Sequence, residues 1–138
     1  MSTEHNKALV RRFIEELWNQ KHLASIDVLV ATNYLDHTSG NPPGPEGLKQ
    51  FAEAYITAFP DLHTTIEDQV AEGDKVVTRW TSYGTNTGSF FGQPATGKSA
   101  MIAGMSIDRI ADGKIVESWD ALDQLGMLQQ LEMIPPQA

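Results

Sequence analysis

The first part of the chain is written in a helical period. Between Glu4 and Gln20 the apolar positions are Leu9, Val10, Phe13, Ile14, Leu17 and Trp18. Steps of one, three and four put them on a single stripe, with Arg11, Arg12, Glu15 and Glu16 mostly off it, so a helix is predicted there. A shorter helix is predicted over Leu23 to Ala31, with Ile26, Leu29 and Val30 inward. Tyr34-Leu35-Asp36-His37 leads into Thr38-Ser39-Gly40-Asn41-Pro42-Pro43-Gly44, a loop by composition. Pro45 suits a first helical position, because its φ is fixed and its missing N–H has no partner there. Leu48, Phe51, Ala52, Tyr55, Ile56 and Phe59 then repeat at helical spacing until Pro60 stops them.

Beyond Pro60 the period drops to two. Leu62, Ile66 and Val70 alternate with His63, Thr65 and Glu67, which predicts a strand. Glu72-Gly73-Asp74-Lys75 reads as a hairpin turn and Val76 to Tyr83 as a β-branched, aromatic strand. Gly84 to Lys98, with Gly84, Gly88, Gly92, Gly97 and Pro94, is a long irregular connection. Ser99 to Ile110 and Ile115 to Asp123 are further strands, joined by a turn at Ala111-Asp112-Gly113-Lys114. Leu125, Leu128 and Leu131 predict a short last helix. Helices first and an antiparallel meander second is the α+β pattern: one domain over 1–138, helices on one face of a curved sheet, and a pocket between them.

Composition narrows the partners. The 138 residues are 41% hydrophobic and 20% charged, a globular balance, and the formal net charge is -8. An acidic surface repels phosphate backbones and anionic lipid, so no nucleic acid and no membrane is expected as partner. There is no cysteine, hence no disulfide and no thiolate site, which fits a cytoplasmic location. The polar start Met1 to Lys7 is not a signal peptide, and no apolar run is long enough to span a bilayer. Phosphate-binding loops, Rossmann glycines and a Gly-x-Ser-x-Gly elbow are missing, and no spacing supports a metal site.

Several motifs carry a resemblance. They are Tyr34-Leu35-Asp36-His37; Phe59-Pro60-Asp61; Glu72-Gly73-Asp74-Lys75-Val76-Val77-x-Arg79; Gly88-x-Phe90-x-Gly92-x-Pro94-x-Thr96-Gly97-Lys98; Asp112-Gly113-Lys114-Ile115-Val116-Glu117-x-Trp119; and Asp123-x-Leu125-Gly126-Met127-Leu128-x-Gln130-Leu131. In this order the chain resembles the SnoaL-like polyketide cyclases of the nuclear-transport-factor-2-like superfamily. The resemblance implies an α+β cone, a cofactor-free enzyme and ring closure by intramolecular aldol chemistry. The superfamily also holds epoxide hydrolases, isomerases and proteins without a known reaction, so a hydrolase, an isomerase and a non-catalytic small-molecule-binding module stay open. Where many relatives carry a histidine, this chain has Asn86, which can hydrogen-bond but cannot relay a proton.

The resemblance implies that Asp123 is the catalytic aspartate. Counting by twos puts Ile115, Glu117, Trp119, Ala121 and Asp123 on one strand face and Val116, Ser118, Asp120 and Leu122 on the other. If the first face lines the pocket, Asp123 sits beside Trp119, and burial makes it a base for a proton α to a carbonyl. The alternatives are that Asp123 caps the last helix, or that one bulge exchanges it with Asp120. His37 either orients a substrate carbonyl and shuttles a proton, or is a hydrogen-bonded structural residue. Arg79, in mid-strand, needs a carboxylate or a bound anion, and Glu117 is read as a salt-bridge partner of Arg79 or Arg109. With Asn86 and Arg79, the substrate-binding candidates are Tyr34, Tyr55, Phe59, Trp80, Met105 and Trp119, and Trp18, Phe51, Phe90 and Met101 extend the apolar wall. The expected ligand is a small apolar carbonyl compound. A homodimer is expected to cover the open sheet face, with Ile102, Ile110, Val116 and Leu122 on it.

Overall fold

A computed structural model describes residues 2–37 and 42–134. Helix α1 runs over Thr3–Ile14, and the Ser2 hydroxyl accepts the His5 N–H at 3.1 Å to cap it. It continues as a π-helical turn, Glu15–Asn19, so the predicted single helix holds a wide turn near its end. Helix α2 is Ser25–Leu29, and strand β1, Val30–Asp36, follows at once. Helix α3 is Pro45–Ala58, with the proline in its first turn. Strands β2 (His63–Glu72), β3 (Lys75–Thr85), β4 (Ser99–Ala111) and β5 (Lys114–Leu122) form the meander, and α4 (Gln124–Gln130) closes the described chain.

The sheet has five strands in the order β1-β5-β4-β3-β2. The predicted antiparallel meander is there, but β1 pairs in parallel with β5, which makes the sheet mixed. Sequence reading extends the second helix to Ala31 and misses β1. Val30 and Tyr34 point inward there, and the chain is helical only as far as Leu29. The predicted element order otherwise holds, and the fold is an α+β cone with helices on the concave face of the sheet.

Two one-residue irregularities decide which side chains face the helices. Ile66 pairs with Trp80 but Asp68 pairs with Arg79, so Glu67 is an extra residue in β2. Ile110 pairs with Ile115 but Arg109 pairs with Glu117, so Val116 is an extra residue in β5. A bulge of this kind inverts the alternation beyond it. Ile115 and, past the bulge, Ser118, Asp120 and Leu122 face inward, while Glu117 and Trp119 face out. Val70 is likewise turned outward and is 63% exposed, contrary to the sequence count that groups it with Ile66.

Two apolar clusters hold the cone together. Val10, Ile14, Leu17, Ile26 and Val30 pack on Val76, Ile110 and Ile115 at one end. Tyr55, Phe59, Phe90, Ile102, Met127 and Leu131 pack at the other. Ile102 and Ile110 are therefore core residues, and Leu122 lines the interior; none of these three lies on the open face as the sequence count expects. Among the described residues, no helix is long and apolar enough to cross a membrane.

Candidate active site

Between the sheet and the helices lies a cavity of about 110 Å³. Phe13 and Trp18 from the N-terminal helical segment, Phe51 and Tyr55 from α3, and Trp80 from β3 give it aromatic walls. Most of its polar groups come from strands that neighbour one another, Tyr34 and Asp36 on β1, Ser118 and Asp120 on β5, and Ser106 and Asp108 on β4; Thr64 on β2 and Ser82 on β3 add a hydroxyl pair 2.7 Å apart. No lysine, arginine or histidine lines it among the described residues.

The polar floor is built from two crossed pairs. Antiparallel register sets Ser106 opposite Asp120 and Asp108 opposite Ser118. Each serine donates to the aspartate across from it: Ser106 Oγ to Asp120 Oδ1, and Ser118 Oγ to Asp108 Oδ1 at 2.5 Å. Each serine also meets a ring group from another strand. The Trp80 indole N–H donates to Ser106 Oγ at 2.9 Å, and the Tyr34 hydroxyl is hydrogen-bonded to Ser118. Trp80 reaches Ser106 because residue 104 is glycine. A Cβ there would stand 2.4 Å from the indole Cζ2, far inside contact distance.

Burial dominates the acid–base behaviour. It pushes the Asp108 carboxyl up to about 7, against the Ser118 hydrogen bond and with help from the nearby Asp120 and Asp36 charges. Burial also raises Asp120, opposed by the Ser106 bond and reinforced by Asp36. Tyr34 is held well above the usual phenol range, chiefly by burial, and burial pushes Tyr55 up to about 12. Acids desolvated without a cation beside them are stronger bases than the same groups in water.

The sequence candidates divide between the two faces of the sheet. Tyr34, Tyr55 and Trp80 line the cavity as expected, with Trp18 and Phe51. Phe59 is buried behind Tyr55, with ring centroids 6.4 Å apart, and belongs to the core. Asp123 is exposed and accepts the Gly126 N–H at 2.9 Å as the N-cap of α4; the bulge at Val116 has given the inward position to Asp120. His37 and Trp119 lie outside, stacked with centroids 4.8 Å apart. His37 Nε2 is 2.6 Å from Glu117 Oε2, and Arg109 Nε donates to Glu117 Oε1 at 2.7 Å, so Glu117 is indeed a salt-bridge residue. Arg79 forks onto Asp68 Oδ2 at 2.8 and 2.6 Å, also outside, and Met105 is 49% exposed on the same face. Asn86 is fully buried away from the cavity. It donates to Gly88 O at 2.8 Å and Ala58 O at 3.3 Å and accepts from Thr96 N at 2.8 Å, which ties the 86–98 connection to the end of α3.

Asp36, Asp108 and the two serines were missed as site residues. The signal was present: Ser106-Ile107-Asp108 and Ser118-Trp119-Asp120 are two Ser-x-Asp triplets on neighbouring antiparallel strands. Such triplets, running in opposite directions, place each serine across from the other's aspartate.

The comparisons with known proteins agree with this architecture. The chain is similar to TsrD from Streptomyces laurentii, with 28% identity over 97% of this chain and 99% of that one and a TM-score of 0.88. It is similar to a Bacillus cereus protein proposed to be a polyketide cyclase, with 31% identity over 98% and 87% and a TM-score of 0.83. IdmH from Streptomyces antibioticus, also proposed to be a polyketide cyclase, shares 30% identity over 92% and 98% with a TM-score of 0.77. No curated protein matches. The SnoaL-like polyketide cyclase family model matches residues 8–131, nearly the whole chain, and its cone is the one these strands and helices build. The chain belongs to the SnoaL-like polyketide cyclase family of the nuclear-transport-factor-2-like superfamily.

Proposed function

We propose that the protein is a cofactor-free cyclase in which Asp120, not Asp123, is the general base acting on a carbonyl compound. The observation that carries this reading is the position of Asp120: a carboxylate in an aromatic-walled cavity, accepting from Ser106, with no cation lining that cavity among the described residues. Asp120 takes a proton from the carbon next to a carbonyl, and the electron pair moves to the carbonyl oxygen as an enolate. The enolate carbon then attacks a second carbonyl of the same molecule. A carbon–carbon bond forms, the second C=O becomes an alkoxide, and the alkoxide recovers the proton from Asp120. No oxidant or reductant is consumed. The aromatic walls favour this chemistry, because polar contacts to an enolate are stronger where solvent does not compete.

The hydrolytic alternative has less support. It requires Arg79 and Asp123 to meet Asp61 or Asp120, yet Arg79 is paired with Asp68 on the outer face and Asp123 caps α4. Asp61 accepts the Thr85 N–H at 2.7 Å, a bond that holds its carboxyl below the usual carboxylate range.

The test uses 2-tetralone, an apolar aromatic ketone with exchangeable α-protons, followed by NMR in deuterated water. The protein should accelerate exchange, and Asp120→Asn should lower that acceleration by at least about a hundredfold while 2-tetralone still binds. Asp123→Asn should keep it. Full exchange activity in Asp120→Asn would remove Asp120 as the base.

The same reading includes a symmetric pair. Val70, Tyr83, Met101, Met105 and Ile107 are exposed apolar side chains on the outer sheet face, a surface suited to a second copy of the chain. Met105→Glu should then convert the protein to a monomer in sedimentation, and an unchanged mass would count against that face.

A further inference from the structure

The two crossed pairs are alike in layout, yet their aspartates are not equivalent. Asp120 is joined through Ser106 to an indole N–H, which can only donate. Asp108 is joined through Ser118 to a phenol, which can donate or accept. That difference gives the second chain a direction. A serine hydroxyl has one proton. When Asp108 is ionised its oxygens only accept, so Ser118 donates to Asp108 and Tyr34 donates its own proton to Ser118. When Asp108 is protonated it can donate to Ser118. Ser118 then donates to the Tyr34 oxygen, and the Tyr34 proton is left free to point into the cavity that Tyr34 lines.

We propose that Asp108 and Ser118 are positioning residues that set the direction of the Tyr34 hydroxyl, so that Tyr34 donates to the carbonyl or enolate oxygen of the ligand only while Asp108 holds a proton. This deepens the cyclase reading and rests on it: Asp120 removes the proton, and Tyr34 holds the oxygen that becomes negative. The groups facing Asp108 are Tyr34 and Asp36 from β1, Ser118 and Asp120 from β5, and Val76 and Thr78 from β3, with Tyr55 the titratable lining group of α3. Among these, only Asp36 and Asp120 bring a charge, and both favour the protonated, donating state of Asp108. Burial acts in the same sense and sets the changeover near neutrality, at about 7.

The experiment follows the carbonyl stretch of bound 2-tetralone by infrared difference spectroscopy, together with its Kd, on the acid and alkaline sides of neutrality. In the unmodified protein the band should sit at lower frequency in acid and move back in alkali, with binding weakening roughly tenfold, the worth of one hydrogen bond to a buried oxygen. Tyr34→Phe should show the unshifted band at both pH values, and Ser118→Ala, which removes the acceptor that holds the Tyr34 proton, should show the shifted band at both. Asp108→Asn should keep the shifted band throughout, because its amide N–H donates to Ser118 at every pH. Asp120→Asn should retain the pH response. A shifted band in Tyr34→Phe, a pH response surviving in Asp108→Asn, or one lost in Asp120→Asn would each overturn the proposal. If Asp120→Asn abolishes α-proton exchange while the unmodified protein shows no pH-dependent band, only this inference fails. If 2-tetralone does not bind at all, the cyclase reading fails with it.

Discussion

The two faces of the same sheet use the same residue types to opposite ends. On the outer face Glu117 lies between Arg109 and His37, and Asp68 is held by Arg79. Those carboxylates have cationic partners and solvent, and the Arg109 and then the His37 hydrogen bonds hold Glu117 below the usual carboxylate range. On the inner face Asp108 and Asp120 have serines for neighbours and aromatic rings for surroundings, and burial drives both upward. The comparison teaches that reactivity here is set by which way a strand residue points. Glu117 and Asp120 are three residues apart on β5; one is held in an ion pair and the other is a buried acid that desolvation raises.

The most damaging way to break that contrast is to remove the bulge. Deleting Val116 should force β5 either to lose its register with β4 or to turn Ser118 and Asp120 outward. The expected cost is at least about 4 kcal/mol, read as a lowered midpoint in urea unfolding, because either outcome buries charge or exposes core. A deletion variant as stable as the parent would show that the bulge does not fix the two faces.

A smaller effect comes from Asp108. An acid held above its ordinary value binds its proton more tightly in the folded state than in the unfolded chain. Its contribution to stability should therefore be greatest in acid, fall as pH rises from 3.8 toward about 7, and level off beyond. Asp108→Asn should remove that fall and gain on the order of a few kcal/mol at alkaline pH. Denaturation across pH checks it, and an unchanged slope in the variant would contradict the assignment.

Asp123 should matter less. Asp123→Ala removes an N-cap and should cost about 1 kcal/mol, with 2-tetralone exchange unaffected. Loss of exchange without loss of folding would return Asp123 to the chemistry.

The smallest effect belongs to Glu117, and its sign is opposite to that of Asp108. A carboxylate held low contributes stability above its ordinary value of 4.5 and loses it as pH falls through the folded value. Glu117→Gln should flatten that acid limb and make it insensitive to salt, since exposed pairs are screened. A Glu117→Gln variant that keeps the full acid limb would place its origin elsewhere.

Much of the fold was legible because period is a local property. The stripe from Leu9 to Trp18 and the alternation in Val76 to Tyr83 each announce an element without help from the rest of the chain. Strand β1 was not legible, because what makes Val30–Asp36 a strand is its parallel pairing with β5, some eighty positions away along the chain. The aromatic wall was largely recoverable by residue type: Trp18, Tyr34, Phe51, Tyr55 and Trp80 were all candidates and all line the cavity. The acids were not, since one extra residue at position 116 exchanges the two faces and nothing in Ile115-Val116-Glu117 marks it. The resemblance implied Asp123, which caps α4, whereas Asp120, three residues earlier, is the acid that lines the cavity.

Gly104 leaves a consequence outside chemistry. By letting the Trp80 ring lie against the sheet, it makes an indole both a wall of the cavity and the outermost donor of the Ser106–Asp120 chain. The emission of that ring should then respond to two events: an aromatic guest over its face, and a charge on the carboxylate two hydrogen bonds away. With Trp18 and Trp119 replaced by phenylalanine, Trp80 would be the one indole left to read occupancy and ionisation without any label.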